Sequence, residues 1–153
     1  LWTGKTSSIR RNRFDSRSVD AFAADEWEAA DNATNGATVL VSGTNSAHTL
    51  HVTNDVDWYK FAVTSPATAL VITDSLNPEL DPELGDTKIY LYDASMNLLT
   101  EDNDGNRGYF SAMVATNLSN GTYYVKVEGY FLTNACQDYT VSLDIYEKKV
   151  LIE

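Results

Sequence analysis

The sequence is poor in the residues that build several common kinds of functional site. Its 153 residues include one cysteine, Cys136, so an intrachain disulfide and a multi-cysteine zinc site are both excluded. The two histidines, His48 and His51, stand three apart in one predicted strand, so we expect them to point to opposite faces and to make a poor metal pair. No apolar run approaches the ~18–20 residues that cross a bilayer, and membrane insertion is not expected.

Catalytic motifs are missing as well. The sequence has no Gly-x-Ser-x-Gly elbow, no His-Glu-x-x-His motif, no phosphate-binding loop and no dinucleotide fingerprint. No serine or cysteine motif announces a nucleophile that a lone histidine would activate. We therefore expect no enzymatic activity. A hydrolase built on carboxylates such as Asp102 and Asp104 stays open as an alternative, because a sequence does not show the fixed separation that such a pair needs.

Positive charge is scarce beyond the first residues. Lys and Arg number 11 against 22 Asp and Glu, which gives a formal charge of −11. Residues 1–24 carry five basic and two acidic side chains, so they are positive while the remainder is strongly acidic. This change of sign predicts an N-terminal arm or linker over 1–24 and a folded domain over 25–153. An acidic surface repels phosphate backbones and anionic membranes, so cations are expected partners and nucleic acid is not.

Short strand patterns are what the sequence has in quantity. Residues 57–64 alternate Tyr59 and Phe61 with Trp58 and Lys60, which places the two pairs on opposite faces of a strand. Further strand patterns cover residues 37–42, 47–53, 68–76, 87–93, 97–101, 110–117, 122–129 and 138–146. Eight or nine short strands at roughly ten-residue spacing predict an all-β, antiparallel β-sandwich of jelly-roll type.

Carboxylates gather in three clusters on predicted loops. The first combines residues 25–31 with Asp55 and Asp57, just before a strand. Hard oxygen ligands at irregular spacing on loops are what Ca²⁺ prefers. The second cluster covers residues 79–86 and the third 101–104. A solvated acidic surface is the alternative interpretation for all three clusters, and for the second and third it is the favoured one.

Aromatic residues are frequent, with three Trp, nine Tyr and five Phe. Exposed aromatics suit flat binding to a fibrous protein or a polysaccharide. The alternative is that loops or the N-terminal arm cover them. The candidates for this surface, on predicted outward faces or at a strand end, are Trp58, Tyr90, Tyr92, Tyr124 and Tyr130.

Six short blocks stand in a fixed order between residues 25 and 146. They read WEAAD at 27–31, NDVDWYKF at 54–61, DTKIYLYD at 86–93, DND at 102–104, GTYYVKV at 121–127 and YTVSL at 139–143. In this order they resemble the signature of bacterial pre-peptidase C-terminal domains. That resemblance implies a jelly-roll-like sandwich without catalysis of its own, appended to secreted bacterial proteins, often proteases, and found outside the cell or at its surface.

The resemblance also implies a role and a metal. Such domains are linked to secretion, to solubility of the parent protein, or to binding an insoluble protein or polysaccharide. The clostridial collagen-binding domains are similar, and there the corresponding segments hold calcium. Carried over by position, the calcium ligands would be Glu26, Glu28, Asp31 and Asp57, with Asn54 or Asp55 assisting. Ala29-Ala30 stands where the family has Pro-Asn, so one side-chain ligand is missing.

Residues 1–24 lie outside the resemblance. They are expected to be either a linker from a preceding domain or an arm that pairs with the sheet edge of a neighbouring subunit. Trp2, Ile9 and Phe14 would supply anchors for such an arm. The second hypothesis for the whole chain is therefore a structural subunit of an extracellular assembly, which self-assembles through residues 1–24.

Overall fold

Two β-sheets face each other in the computed structural model, which describes residues 23–76, 85–130 and 137–149. The strands are β1 (Thr38–Val39), β2 (Thr44–Leu50), β3 (Val56–Val63), β4 (Ala67–Asp74), β5 (Thr87–Tyr92), β6 (Leu98–Asp102), β7 (Ala112–Leu118), β8 (Gly121–Gly129) and β9 (Gln137–Glu147). The five-stranded sheet has the order β1-β3-β8-β5-β6 and the four-stranded sheet the order β2-β9-β4-β7. The prediction of an all-β sandwich of eight or nine strands is confirmed, while the jelly-roll type of its connections stays a prediction.

The core lies between the sheets because each central strand alternates apolar and polar side chains. In β3, Tyr59, Phe61 and Val63 are buried, as predicted, while Trp58 and Lys60 face outward. Strands β5, β8 and β9 show the same alternation. Each fully buried large apolar side chain contributes ~1.5–3 kcal/mol relative to an exposed one, so this pattern fixes which face of each strand is inside.

Strand pairing places the starts of β3 and β9 near each other across the core. β3 pairs antiparallel with β8, and Tyr59 is opposite Val125. β9 pairs antiparallel with both β2 and β4. Most ladders are antiparallel, as expected, but the two-residue β1 runs parallel to β3. The hydroxyls of Tyr59 and Tyr139 meet between the sheets at 2.6 Å.

The structure changes two predicted elements near the N-terminal side. The predicted strand 37–42 is reduced to β1, because the chain turns where Val41 O accepts the Thr44 N–H at 3.1 Å. The predicted strand 47–53 starts earlier and ends at Leu50. The expectation that both histidines lie in one strand is therefore wrong: the His51 N–H goes to the Asp55 carboxylate at 2.8 Å and leaves the ladder.

Some expectations fall outside the described residues. They include the arm or linker over 1–24 except for its last two residues, the carboxylates of residues 79–83, and Cys136. The boundary near residue 24 stays a prediction. Among the described residues, no helix is long and apolar enough to cross a membrane.

Candidate metal centre and outer aromatic face

A turn at residues 25–31, here called the lead-in segment, is fastened to both sheets. The Asp25 carboxylate accepts the Thr49 N–H of β2 at 2.9 Å, and its other oxygen accepts the Trp27 N–H at 2.9 Å. The Asp31 carbonyl accepts the Trp58 N–H of β3 at 2.7 Å. These bonds fold the segment over the point where β3 begins, which brings its side chains to the buried Asp57.

Three carboxylates meet at this point. Asp57 is fully buried and Asp31 is 1% exposed. The Glu28 side chain is 6% exposed. Each of the three residues offers an oxygen within 4.8 Å of the others. The structure thus confines three acidic groups in one small, nearly water-free space.

Several oxygens of this cluster have no hydrogen-bond donor among the described residues. They are Oε2 of Glu28, both carboxylate oxygens of Asp31 and Oδ1 of Asp57. Leaving a buried polar atom without a partner costs roughly 1–3 kcal/mol, and more when the group is charged. A folded protein keeps such a cluster only if protons or a cation satisfy it.

The pKa values of the three carboxylates are raised by their burial and by neighbouring charges. Burial raises the pKa of Asp57 to about 8; the hydrogen bond from Tyr139 opposes this rise and the Asp31 charge adds to it. Burial, with the Asp55 charge, raises the pKa of Glu28 to about 7. Burial and the Asp25 charge raise the pKa of Asp31 to about 6. Without a cation, Asp57 therefore keeps its proton at pH 7 and Glu28 keeps its proton in part, while Asp31 is mostly ionised.

Asp55 and His51 form a neighbouring group that includes the same Glu28. His51 Nδ1 lies 2.6 Å from Asp55 Oδ2 and 2.6 Å from Glu28 Oε1. The Asp55 carboxylate also accepts the N–H groups of His51 and Val56 at 2.8 and 2.9 Å. Asp55 is therefore well supplied with donors, in contrast to Asp31, and it shapes the loop before β3.

His48 lies on the other side of Asp31. Its side chain is fully buried, with Nδ1 3.5 Å from Asp25 Oδ2. Asp25, Asp31 and His48 each offer an atom within 4.8 Å of the others. Burial lowers the pKa of His48 to about 4 although the nearby Asp25 opposes this, so the ring is neutral at pH 7.

The outer face of the five-stranded sheet carries aromatic rings and lysines, two of which, Lys88 and Lys126, pair with Glu101 and Glu128. Trp58 and Tyr92 have ring centroids 5.4 Å apart, and those of Tyr90 and Tyr92 are 6.4 Å apart. Lys126 Nζ lies 4.2 Å from the centroid of Tyr90, in the geometry of a cation–π contact. We call this the outer aromatic face; it comprises Trp58, Lys60, Lys88, Tyr90, Tyr92, Tyr124 and Lys126.

The family model described as bacterial pre-peptidase C-terminal domain matches residues 55–129. Residues 55–129 carry the sequence pattern of a bacterial pre-peptidase C-terminal domain. The matched range begins at Asp55, runs through β3 and the outer aromatic face, and ends with β8. No curated protein matches the chain.

Two solved structures are similar to this chain over 71% of its length. The pre-peptidase C-terminal domain of collagenase from Bacillus anthracis is 19% identical, with a TM-score of 0.54 over 71% of this chain and 94% of that chain. PliG of Aeromonas hydrophila, a periplasmic inhibitor of g-type lysozyme, is 9% identical, with a TM-score of 0.47 over 71% of this chain and 96% of that chain. The collagenase domain supports the sandwich, and the family match supports a non-catalytic, accessory role.

The predicted metal ligands are brought together in part. Glu28, Asp31 and Asp57 form one group, and Asp55 joins Glu28 in the neighbouring group. Glu26 is exposed and is in neither group. Both histidines were expected to make a poor metal pair, yet each lies among carboxylates, and Asp25, which is not in the predicted ligand set, lies beside His48. The position of a histidine in a predicted strand does not show which carboxylates the lead-in segment brings close to it.

The other acidic cluster within the described residues has a structural use. The Asp102 carboxylate accepts the Gly105 N–H at 2.8 Å and the Ala112 N–H at 2.9 Å, so it closes the turn between β6 and β7. A Cβ on Gly105 would lie 2.6 Å from that carboxylate. Of the five predicted surface aromatics, Trp58, Tyr90, Tyr92 and Tyr124 are half-buried on the outer aromatic face, and Tyr130 is exposed near its Lys88 end.

Proposed function

We propose that this chain is a calcium-stabilised, non-catalytic accessory domain of a secreted bacterial protein, which adsorbs to an insoluble protein or polysaccharide through its outer aromatic face. The observation that carries the calcium proposal is the set of buried oxygens on Glu28, Asp31 and Asp57 that lack donors. A secreted setting is proposed because pre-peptidase C-terminal domains occur in secreted bacterial proteases.

The residues fit calcium in kind and in charge. Ca²⁺ takes oxygen ligands from carboxylates and carbonyls in flexible geometry, and three carboxylates here converge without nitrogen or sulfur. Glu28, Asp31 and Asp57 would hold the ion. It would remove the repulsion among three carboxylates and fix the lead-in segment to the start of β3. Because the unfolded chain lacks this arrangement, binding would stabilise the folded state.

The outer aromatic face fits an extended polymer. Its rings stand close together on a sheet, and two lysines, each paired with a glutamate, lie against the ring of Tyr90. Flat rings pack against sugar rings or against the apolar side chains of a fibrous protein. The solved relative from Bacillus anthracis is part of a collagenase, so insoluble collagen is one polymer to test, beside chitin and cellulose.

Thermal unfolding with calcium and with chelator tests the metal proposal. Calcium at about 100 times its dissociation constant adds ~2.7 kcal/mol, which raises the melting temperature by roughly 5–10 °C. Asp57→Asn is expected to lose this rise. In chelator at pH 8, Asp57→Asn is expected to melt no lower than the original chain, because it removes a buried charge that has no counter-ion.

The matched control is Asp104→Asn, which removes an exposed carboxylate of the β6–β7 turn. It is expected to keep the full calcium response. A calcium response that survives in Asp57→Asn, or no response of the original chain at ~5 mM calcium, above the range of weak extracellular sites, overturns the proposal.

A further inference from the structure

The burial and the ring contacts of His48 hold its imidazole as in a metal-binding histidine. The ring is fully buried, tilted by 34° against Trp27 at a centroid distance of 4.3 Å and edge-on to Tyr59 at 4.8 Å. These contacts hold the imidazole in one orientation. The ring therefore presents its two nitrogens in fixed directions, and their surroundings decide what each one does.

The two nitrogens have different neighbours. Nε2 lies 3.0 Å from Ser46 Oγ, within hydrogen-bond range. Nδ1 has no hydrogen-bond partner among the described residues, and its distance of 3.5 Å to Asp25 Oδ2 is too long for a charge-assisted bond. A neutral ring that gives its Nε2 proton to Ser46 presents a lone pair at Nδ1. That lone pair lies 3.5 Å from Asp25 Oδ2, and the two repel each other unless a cation or a proton lies between them.

The two carboxylates around Nδ1 have oxygen lone pairs available. Asp25 is held in place by the Thr49 and Trp27 N–H groups, each of which uses one lone pair of one oxygen. Asp31, 1% exposed, has no donor to either oxygen among the described residues. Ligand atoms from the three residues fall within 4.8 Å of one another, a spacing that a single ion spans.

We propose that Asp25, Asp31 and His48 form a second cation position, which takes a transition-metal ion of the zinc class. Nitrogen of imidazole suits Zn²⁺, whereas Ca²⁺ takes oxygen ligands. In the tautomer that carries its proton on Nε2, the contact with Ser46 would be the outer hydrogen bond that metal-bound histidines usually make. The inference deepens the proposed calcium function, because Asp31 contributes to both positions and would bridge the two ions.

The test uses the full chain, stripped of metal and then saturated with calcium. Zinc chloride is titrated by calorimetry in a buffer that does not bind metals. One zinc ion per chain is expected, with the calcium-dependent rise in melting temperature retained. His48→Gln is expected to lower zinc affinity by at least about 100-fold, the upper end of what the loss of an outer-shell partner costs.

His51→Gln is the matched control, because it removes the other histidine, which lies beside Glu28 and Asp55 instead. It is expected to bind zinc as the original chain does. A direct signal comes from ¹⁵N NMR of the histidine rings, in which Nδ1 of His48 shifts when zinc is added. This measurement needs no substitution, so it decides the matter if His48→Gln fails to fold.

Three results overturn the inference: no zinc binding to the calcium-loaded chain, equal zinc affinity in His48→Gln, or zinc that releases one calcium for each ion bound. The two proposals fail separately. If calcium gives no thermal shift but zinc moves the His48 signal, the zinc position stands and the calcium proposal falls. If the calcium shift is present and the His48 signal does not move, the calcium proposal stands and the zinc position falls.

Discussion

Tyr139 donates a hydrogen bond to Oδ2 of Asp57 and leaves Oδ1 of the same carboxylate without a donor among the described residues. The Tyr59 hydroxyl lies 2.6 Å from that of Tyr139, and because the Tyr139 proton goes to Asp57, Tyr59 is the donor of this second bond. All three side chains are fully buried. A single chain of hydrogen bonds between the sheets therefore fixes the orientation of the proposed ligand Asp57.

Removing the Tyr139 hydroxyl is expected to lower the free energy of unfolding more than removing the Tyr59 hydroxyl. Tyr139→Phe leaves Asp57 without its donor and Tyr59 without its acceptor, so we expect a loss of ~2–3 kcal/mol in the free energy of unfolding. Tyr59→Phe removes one hydrogen bond and is expected to cost ~1 kcal/mol. Urea unfolding in calcium measures both. Equal losses in the two variants would contradict the order of donors.

Stability in chelator is expected to fall as pH rises from 7 to 8.5. Burial raises the pKa of Asp57 from 3.8 to about 8, so the folded state holds a proton that the unfolded state has already lost. Such a group stabilises the fold at low pH, and that contribution is lost as pH rises through the folded pKa. The expected loss over this range is about 1 kcal/mol.

The range from pH 7 to 8.5 distinguishes the effect of Asp57 on stability from that of His48. The pKa of His48 is lowered from 6.5 to about 4, so its effect on stability is confined to pH below about 6.5 and has the opposite sign. Urea unfolding at pH 7.0 and 8.5 in chelator measures the slope. Asp57→Asn should reduce it. Saturating calcium should abolish or reverse it, because the ion binds the ionised carboxylate; a slope unchanged by the substitution counts against this account.

Gly36 is expected to matter for calcium because it touches the lead-in segment. A Cβ at Gly36 would lie 1.9 Å from the Ala30 carbonyl oxygen, so Gly36→Ala has to displace the backbone next to Asp31. We expect about a tenfold loss of calcium affinity, in line with the loss of an outer-shell support. Gly43→Ala is the control, since its Cβ meets nothing within 4 Å although its φ of +80° makes the substitution strained.

Gly43→Ala should therefore lower the free energy of unfolding by ~1 kcal/mol while calcium affinity stays the same. Calorimetric titration of calcium into both variants makes the comparison. If Gly36→Ala binds calcium as tightly as Gly43→Ala does, the lead-in segment does not position the metal ligands.

The outer aromatic face is expected to carry adsorption to the polymer. Tyr92→Ala, which removes a ring packed against those of Trp58 and Tyr90, should lower adsorption at least about tenfold, the effect of losing roughly 1.4 kcal/mol. Tyr146→Ala is the matched control, because Tyr146 is 60% exposed on a strand of the other sheet. Co-sedimentation with insoluble collagen, chitin and cellulose measures it. Equal adsorption of the two variants would move the binding surface elsewhere.

The strands and their faces were predictable because alternation along one strand is local information. Tyr59 and Phe61 against Trp58 and Lys60 already fix the inner and outer faces of β3, and the burial of each residue follows. The end of β2 was not predictable, because it depends on Asp55 taking the His51 N–H away from the ladder. That competition involves a loop whose path the pattern of apolar residues does not specify.

The residues of the candidate site were predictable only where the family resemblance supplied them by position. Glu28, Asp31 and Asp57 were in the predicted set, and the structure brings them together. Glu26 was in the same set and is exposed, because neighbouring positions of a turn point in different directions. The proposed ligand role of His48 was not predicted, since it depends on the fold of the lead-in segment over β2, which places Asp25 and Asp31 beside the ring.

The fastening of the lead-in segment to both sheets also determines how the sandwich would respond to mechanical force. Asp25 is bonded to Thr49 of the four-stranded sheet, and Asp31 to Trp58 of the five-stranded sheet. Tension applied through the chain before Asp25 therefore loads these two hydrogen bonds before it loads the hydrogen bonds between strands. With the proposed ion in place, the calcium level around the protein would set the force at which the domain begins to open.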